Sequence, residues 1–381
     1  MNKKEVSEIK KLFTPQGCAI TRICGCYVDH EKTKLTQMKE AFLSLPEEEA
    51  FKYFKIFRGG MSGTLGKNLL NMEFPLESEK EGGAQEFLLK LRDSELKDDA
   101  LLEEFYDKII EHYDYGENYY IILIHCAYDI PAKSTDGSEL FDASDYVYSF
   151  LQCCICPVKL SKEGLSYNPV ANIIENRSRD WLVEAPQLAF LFPAFNDRNT
   201  DLHSLLYYSK NPEELKTELI DEVLGCASPM SAKSQKETFQ AIVEETLGAG
   251  CDFESVKNIH ETIQELMEEH TDDAEPLTLD KYQMKAILEN NGAEPEQIEQ
   301  LDKDYPVDET NREASFLASN VIGARSFEIK TPDVTIKVAP DKTYLVETRL
   351  VDGRACIVIE AGENVAVNGI PVRPLRVERE K

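Results

Sequence analysis

The sequence of 381 residues lacks any apolar run close to the roughly 20 residues that a membrane-spanning helix needs. Its first residues, MNKKEVSEIKK, place no apolar stretch behind the lysines, so we expect no secretory signal. Basic residues are scarce: 42 lysines and arginines stand against 70 acids, and the net charge is −28. Such a surface repels nucleic-acid phosphates and anionic lipids. We therefore expect a soluble cytoplasmic protein that binds neither nucleic acid nor membrane.

Signatures of common enzymes are missing as well. The sequence contains no G-x-S-x-G elbow and no H-E-x-x-H helix. Its ten cysteines are expected to stay reduced in a cytoplasm rather than to form disulfides. These absences favour a non-catalytic protein that binds another macromolecule or a small ligand, without a cofactor. The alternative is an enzyme or sensor that binds an anionic, phosphate-bearing small molecule.

The patterns that are present predict an α+β fold in four parts. Residues 1–200 mix amphipathic helices with apolar strands and are interpreted as the main domain. Residues 201–300 form an acidic helical region, and residues 301–324 are interpreted as a linker. Residues 325–381 hold several short alternating segments, which predict a small β-sandwich or barrel domain.

Three long apolar runs are expected to form the centre of the main sheet. The runs are Tyr119–Ile130, Tyr146–Val158 and Trp181–Phe192. Each is apolar at consecutive positions rather than at alternate ones, which is typical of a strand covered on both faces. We therefore predict a central apolar sheet packed between other elements.

Local signals indicate where two helices near the N-terminus begin and end. The first helix is predicted from an apolar stripe at helical spacing, made of Val6, Ile9, Leu12 and Phe13. A second helix begins with a capping-box pair at Ser44 and Glu47. We expect this second helix to end in a left-handed cap at Gly59 and Gly60.

Two residue pairs near the C-terminus predict tight hairpins. Asp352-Gly353 and Asn368-Gly369 each lie between apolar segments. A two-residue type I′ turn needs positive φ at both central positions, which Asn, Asp and Gly tolerate best. These pairs support the prediction of short strands over residues 325–381.

A set of longer strings resembles a known family. The strings are ITRICGCYVDHEK, SGTLGKNLLNMEFP, HCAYDIPAKSTDG, CCICPVKLSKEGLSYNP, RDWLVEAPQLAFLFPAFNDRNTD and KTPDVTIKVAPDKTYLVETRLVDGR. Together they resemble an uncharacterised family of cytoplasmic proteins from Firmicutes, the domain of unknown function number four-three-one-seven. The resemblance extends over nearly the whole chain. It implies no activity, ligand or catalytic residue, so functional inference depends on the residues themselves.

The glycine-rich segment RGGMSGTLGKN, residues 58–68, invites comparison with a phosphate-binding P-loop. Met61 stands where that motif needs glycine, Asn68 stands where it needs Ser or Thr, and a helix rather than a strand precedes the segment. A looser anion-binding nest of backbone amides and basic side chains remains open. Its candidate ligand-binding residues are Arg58, Gly63, Gly66 and Lys67. The alternative is an ordinary loop after a helix end.

A second group of candidate ligand-binding residues flanks the third apolar run. Arg177 and Arg179 precede Trp181, and the polar residues Asn196, Asp197 and Arg198 follow the run. Polar residues beyond the ends of apolar strands line clefts in many α/β proteins. They equally form ion pairs that fix loops, so both interpretations stay open.

His125 and Asp129 are the candidate catalytic residues. They lie four positions apart in a predicted strand and so share a face, which suits a base and its partner in acid–base catalysis. A partly buried histidine with satisfied hydrogen bonds is the alternative.

Cysteines at alternate strand positions are the candidate metal ligands. Cys24 and Cys26 share one face of a predicted strand, and Cys154 and Cys156 share a face of another. Four such thiolates would suit zinc or an iron–sulfur cluster if the strands were neighbours. Buried cysteines also serve as small apolar core residues, and no metal is expected.

The acidic helices suggest a protein partner. Residues 252–313 contain nineteen acids and five bases. A charged stretch of this kind is most often a solvated face, but it also suits docking of a basic partner. We predict a protein partner bound through these helices or through the C-terminal β domain.

Overall fold

The computed structural model describes residues 1–133, 139–307, 312–323, 326–361 and 365–372. The chain divides into two compact units. The first consists of Met1–Ser234, Asp273–Pro276 and Val307–Arg312, and the second of Gln235–Asp272, Leu277–Pro306 and Glu313–Lys381. These bounds differ from the four parts predicted above, because segments distant in sequence belong to one unit.

The first unit combines α-helices with a large sheet. Its helices are α1 (Lys3–Lys11), α2 (Glu47–Gly59), α3 (Ala84–Asp93), α4 (Asp99–His112) and α5 (Thr217–Leu219), which continues as a π-helix over Ile220–Leu224. Its strands are β1 (Ile20–Val28), β2 (Lys34–Ala41), β3 (Leu69–Glu73), β4 (Tyr119–Lys133), β5 (Glu139–Leu160), β6 (Leu165–Asn168), β7 (Ile173–Asn176), β8 (Trp181–Val183), β9 (Leu188–Phe192), β10 (Ala194–Asn196), β11 (Asn199–Asp201) and β12 (Ser204–Ser209).

The main sheet has eight strands in the order β2-β1-β4-β5-β9-β12-β3, with β8 paired to the end of β5. Every described pairing in it is antiparallel. The three strands at its centre, β4, β5 and β9, come from the three predicted apolar runs. In this register Leu123 lies opposite Cys153, which in turn lies opposite Phe190.

Helices cover both faces of this sheet. One core contains Leu123, Leu151 and Phe190 from the strands, packed with the inner residues of α3 and α4. The other core contains Ile124 and Leu191, packed with the inner residues of α1 and α2. The α+β fold and the apolar central sheet are therefore confirmed, and the double burial explains why these strands show no polar alternation.

Three local predictions differ from the structure. The run Trp181–Phe192 is two strands, β8 and β9, interrupted over residues 184–187, which include a proline without a ladder N–H. The residue at the N-terminal cap of α2 is Pro46, not Ser44, which lies in a preceding 3₁₀ turn. The cap at the other end is Gly60 at φ −68°, so it is not left-handed.

The second unit is helical with short strands. Its helices are α6 (Ala232–Leu247, whose first residues belong to the first unit), α7 (Phe253–Glu269), α8 (Lys281–Asn290), α9 (Pro295–Asp304) and α10 (Ala318–Val321). Its strands are β13 (Thr278–Leu279), β14 (Phe316–Leu317), β15 (Phe327–Lys330), β16 (Thr335–Val338), β17 (Val346–Val351), β18 (Arg354–Ile359), β19 (Val365–Val367) and β20 (Ile370–Val372). No described helix of either unit is long and apolar enough to cross a membrane.

The C-terminal strands pair only two by two within the described residues: β15 with β16, β17 with β18, and β19 with β20. The β-sandwich or barrel over residues 325–381 stays a prediction, because these pairings do not test it. Both predicted hairpin turns are present, with φ of 52° and 76° at Asp352 and Gly353. The predicted linker at 301–324 contains the end of α9, β14 and α10, and Phe316 within it is fully buried.

Candidate functional site

A groove of about 530 Å³ lies on the α1–α2 side of the main sheet. Helix α1, the end of α2, the glycine-rich loop and the first residue of β3 form its walls. The groove is lined by Lys3, Val6, Ser7, Lys10, Lys11, Thr14, Arg58, Met61, Gly63, Thr64, Leu65 and Leu69. Two of the predicted ligand-binding residues, Arg58 and Gly63, are therefore brought together here.

Helix α1 presents one continuous face to the groove. Its lining residues recur at spacings of three and four, which places them along a single side of an α-helix. Asn2 begins the helix with a capping box: its side chain accepts a hydrogen bond from the amide of Glu5, and Glu5 accepts one from the amide of Asn2 at 2.7 Å. The buried residues Ile9 and Phe13 hold the adjacent face on the sheet.

The acidic side chains of α1 are engaged away from the groove. Glu5 accepts a hydrogen bond from the amide of Asp197 at 2.7 Å, and Glu8 lies 3.1 Å from the Arg198 guanidinium. Asp197 and Arg198 both have positive φ and form the tight turn between β10 and β11. The polar set after the third apolar run therefore fixes α1 in place, and among the charged residues of α1 only lysines line the groove.

The end of α2 carries Arg58 and is held tightly on the sheet. Buried Gln152 of β5 donates a hydrogen bond to the carbonyl of Phe57 at 2.9 Å, in the last turn of α2. A Cβ on Gly60 would lie 2.8 Å from the Cβ of Ala189 and 2.9 Å from Cys154 Sγ. Glycine is thus required at position 60 because the helix end lies close to the sheet. The predicted reason, a left-handed cap, does not apply.

The glycine-rich loop folds on itself and leaves two amides free. The Thr64 carbonyl accepts hydrogen bonds from Lys67, Asn68 and Leu69. Gly63 has φ of +95°, and a Cβ there would meet the Asn68 side chain at 2.5 Å. Within the described chain, the amide N–H groups of Gly63 and Leu65 have no hydrogen-bond partner.

Asn68, the residue that breaks the P-loop pattern, anchors this loop to the sheet. Its side-chain amide donates to the carbonyl of Ser209, at the end of β12, at 3.1 Å. The other two predicted loop residues, Gly66 and Lys67, do not line the groove. The loop therefore contributes backbone amides and Thr64, while the charges come from the two helices.

Basic residues line the groove although the chain is strongly acidic. Its lining includes four cations and no Asp or Glu. Lys3 donates to the carbonyl of Asp273 at 3.1 Å. By contrast, Lys10, Lys11 and Arg58 have no carboxylate partner among the residues that the structure describes. Their positive charge is thus uncompensated by neighbouring protein groups.

The predicted arginine cluster lies outside the groove. Arg179 donates to the carbonyl of Ser161 and to Glu163, both at 2.9 Å, and so fixes the segment that carries β6 and β7. The backbone amide of Arg177 bonds to Gly164 in the same segment. These residues fit the loop-fixing interpretation better than a shared ligand site with Arg58.

His125 and Asp129 do not form a pair. The ring of His125 is buried and contacts Thr21 Oγ1 through Nδ1 at 2.6 Å and Ser149 Oγ through Nε2 at 2.8 Å. Asp129 is exposed and lies four strand residues away, about 13 Å along β4. Burial lowers the pKa of His125. The geometry matches the alternative of a satisfied, partly buried histidine.

The four candidate cysteine ligands lie on opposite faces of the main sheet. Cys24 and Cys26 belong to the α3–α4 core, and Cys154 and Cys156 belong to the α1–α2 core. Their strands are also separated by β4. Burial raises the pKa of the Cys26 thiol to about 11, which disfavours thiolate formation. No cluster of metal-ligating side chains occurs in the described part of the chain.

The groove residues on α1 are absent from the sequence-based candidates. A signal for them exists: a polar stripe of Lys3, Ser7, Lys10, Lys11 and Thr14 beside the apolar one. The stripe does not indicate which segment it faces, because the glycine-rich loop lies about fifty residues later in the sequence.

Comparison with known proteins gives a family without assigned residues. No curated protein matches the sequence. Residues 1–370 match the family described as Domain of unknown function (DUF4317). This match covers both units and agrees with the resemblance noted from the sequence strings, so the chain belongs to the family Domain of unknown function (DUF4317).

Proposed function

We propose that the first unit binds an anionic, phosphate-bearing small molecule in the groove between α1 and the glycine-rich loop. The observation that carries this proposal is the set of uncompensated cations Lys10, Lys11 and Arg58 in a groove without a carboxylate. The proposed role is binding alone. A sensor or an enzyme is the alternative, and either would bind its anion in the same groove.

Hydrogen-bond donors around these cations support the proposal. Thr64 lines the groove, and its hydroxyl group has no partner in the described residues. The free amides of Gly63 and Leu65 belong to the same lining. Phosphate oxygens accept several such bonds at once, and bonds to a charged acceptor are about twice as strong as neutral ones.

A purely structural role for these cations is the competing account. Lys10 and Lys11 lie in the last turn of α1, and Arg58 lies in the last turn of α2, where cations stabilise the helix dipole. Each helix end carries about half a negative charge, so three cations exceed that demand by about two charges. The surplus favours an external anion.

Calorimetric titration with inorganic pyrophosphate tests the proposal, with sodium chloride matched for ionic strength as the reference. We expect saturable binding that raises the melting temperature. Arg58→Gln is expected to weaken it about 10-fold or more, because a hydrogen bond to a charged group contributes about 1.5–3 kcal/mol.

Lys67→Gln is the matched control, since Lys67 lies in the same loop but outside the groove. It should bind pyrophosphate like the parent protein. Equal weakening by Arg58→Gln and Lys67→Gln would indicate non-specific screening and contradict the proposal.

The predicted protein partner of the acidic helices stays a prediction. Lys281 and Lys285 of α8 both pair with Asp302 of α9, so part of the acidic charge is satisfied inside the second unit. Tyr282 on α8 is 79% exposed, which suits a partner that covers it. Tyr282→Ser tests this prediction in the full chain: loss of a partner from a folded protein is expected.

A further inference from the structure

The groove is much larger than a phosphate group. Its volume of about 530 Å³ falls within the range of about 300–1,000 Å³ found for sites that hold drug-sized ligands. A single phosphate at the cations would leave most of the groove unfilled. The position of the charges within the groove therefore bears on what the rest of the ligand is.

The uncompensated cations lie together at one end. Lys10 and Lys11 end α1, Arg58 ends α2, and the rings of Phe13 and Phe57 just beside them are 5.7 Å apart. Lys3 lies at the other end of α1, and its amine is already bonded to a carbonyl. The surplus of about two positive charges at the first end matches the charge of a phosphate monoester, about −1.5 to −2.

The remainder of the groove combines polar side chains with the edges of apolar core residues. Val6 lies midway along α1, and Leu65 and Leu69 face the same space from the loop and from β3. Strand β3 extends past the start of α1, where the Asn71 side chain donates to the Met1 carbonyl at 2.9 Å. The apolar part thus extends from the cations toward Lys3, about 10 Å along a helix that rises 1.5 Å per residue.

We infer that the ligand is an amphiphilic phosphate monoester. Its phosphate lies among Lys10, Lys11 and Arg58, and its apolar body, about 10 Å long, lies against Val6, Leu65 and Leu69. This inference rests on the proposed function and adds the class of molecule. The phosphate belongs either to a soluble ester or to a lipid headgroup, which share this chemistry.

Titration of the full chain with inorganic phosphate, butyl phosphate and hexyl phosphate tests the inference. Affinity is expected to rise with each added methylene, by up to about fourfold, because each buried methylene leaves water. Co-sedimentation with phosphatidic acid vesicles then distinguishes the sources: capture indicates a lipid headgroup, and soluble binding alone indicates a soluble ester.

A substitution in the middle of the groove separates the two parts of the ligand. Ser7 is exposed and lies midway along the groove face of α1, so Ser7→Phe fills the apolar part without disturbing the core. We expect it to abolish the gain from the alkyl chain and to keep phosphate binding. Lys4→Phe is the control, because Lys4 is also exposed on α1 but does not line the groove.

The possible failures are distinguishable. If inorganic, butyl and hexyl phosphate bind with equal affinity, the anion site stands and the amphiphilic ligand is wrong. The same conclusion follows if Ser7→Phe and Lys4→Phe behave alike. If none of the phosphates nor pyrophosphate binds, the proposed function itself is wrong.

Discussion

Two groups of basic residues next to helices of the first unit differ in how their charge is compensated. On β2, Lys34 lies 2.6 Å from both Glu103 and Asp107 of α4, and Lys39 lies 2.7 Å from Asp99. Burial alone would lower the pKa of Lys34, but hydrogen bonds to these carboxylates outweigh it and raise that pKa. In the groove, Lys10, Lys11 and Arg58 have no such partners in the described chain.

The comparison shows that acidic residues are available near the groove but, in the described residues, form no ion pairs with its cations. Helix α1 has Glu5 and Glu8, but both bind the turn between β10 and β11. On β2 the same abundance of acids leads to closed ion pairs. Cations grouped around a groove whose lining holds no carboxylate suit a site for an external anion.

The largest expected effect concerns Gly60, at the end of α2 that carries Arg58. Gly60→Ala places a Cβ within 3 Å of Ala189 and Cys154, so we expect a loss of about 1–3 kcal/mol in unfolding free energy and loss of pyrophosphate binding. Urea unfolding followed by circular dichroism and by the single tryptophan, Trp181, measures this. Gly164→Ala, with no atom within 4 Å, should be close to neutral.

The buried residue His125 gives a second expected effect, on the pH dependence of stability. Because burial lowers the pKa of His125, the folded state binds fewer protons than the unfolded state below the unfolded histidine pKa of about 6.5. Unfolding free energy should therefore fall as pH decreases from about 7 to 5, by at most about 1.4 kcal/mol per pH unit from this residue.

Urea unfolding at several pH values, compared with His125→Gln, isolates this contribution. The variant cannot titrate, so its stability should depend less steeply on pH. His203 acts in the opposite direction, because the carboxylate of Glu79 raises its pKa. An identical pH slope in both proteins would show that His125 is not held uncharged by burial.

Removal of a compensated cation should have a modest cost. Lys34→Gln breaks two ion pairs at a partly exposed site, and we expect a loss of about 0.5–1 kcal/mol that shrinks at high salt. Pyrophosphate binding should be unchanged. If this variant bound pyrophosphate more weakly, binding would depend on Lys34 as well, and the groove would not be the specific anion site.

Removal of an uncompensated cation should cost least in stability. Lys11→Gln removes only an interaction with the end of α1, so we expect a change within about 0.5 kcal/mol, together with weaker pyrophosphate binding. Urea unfolding with and without pyrophosphate measures both. A cost equal to that of Lys34→Gln, with binding intact, would favour a structural role for the groove cations.

The fold was predictable where a pattern depends on local chemistry. The apolar runs identified the central strands because burial on both faces removes polar positions along the run itself. The pair Asp352 and Gly353 identified its turn because the turn type depends on those two residues. The interruption between β8 and β9 was missed because the apolar residues on either side of it resemble one continuous strand.

The site was predictable only in part, because it depends on long-range contacts. Arg58 and Gly63 were identified from the glycine-rich loop, but their partners come from α1. The sequence indicates that Cys24 shares a face with Cys26, and Cys154 with Cys156. It does not indicate the order of the strands or which face of the sheet each pair lies on. No spacing rule connects segments that only tertiary packing brings together.

The pairing of β3 with β12 has a consequence for the order of folding. Leu69 pairs with Tyr208, and these two residues are separated by well over a hundred positions, so a large loop must close before this edge of the sheet forms. Non-local pairings of this kind form slowly. Because Leu69 and Asn68 anchor one wall of the groove through this edge, ligand-binding competence should be acquired late, after helices and the β4–β5 hairpin have formed.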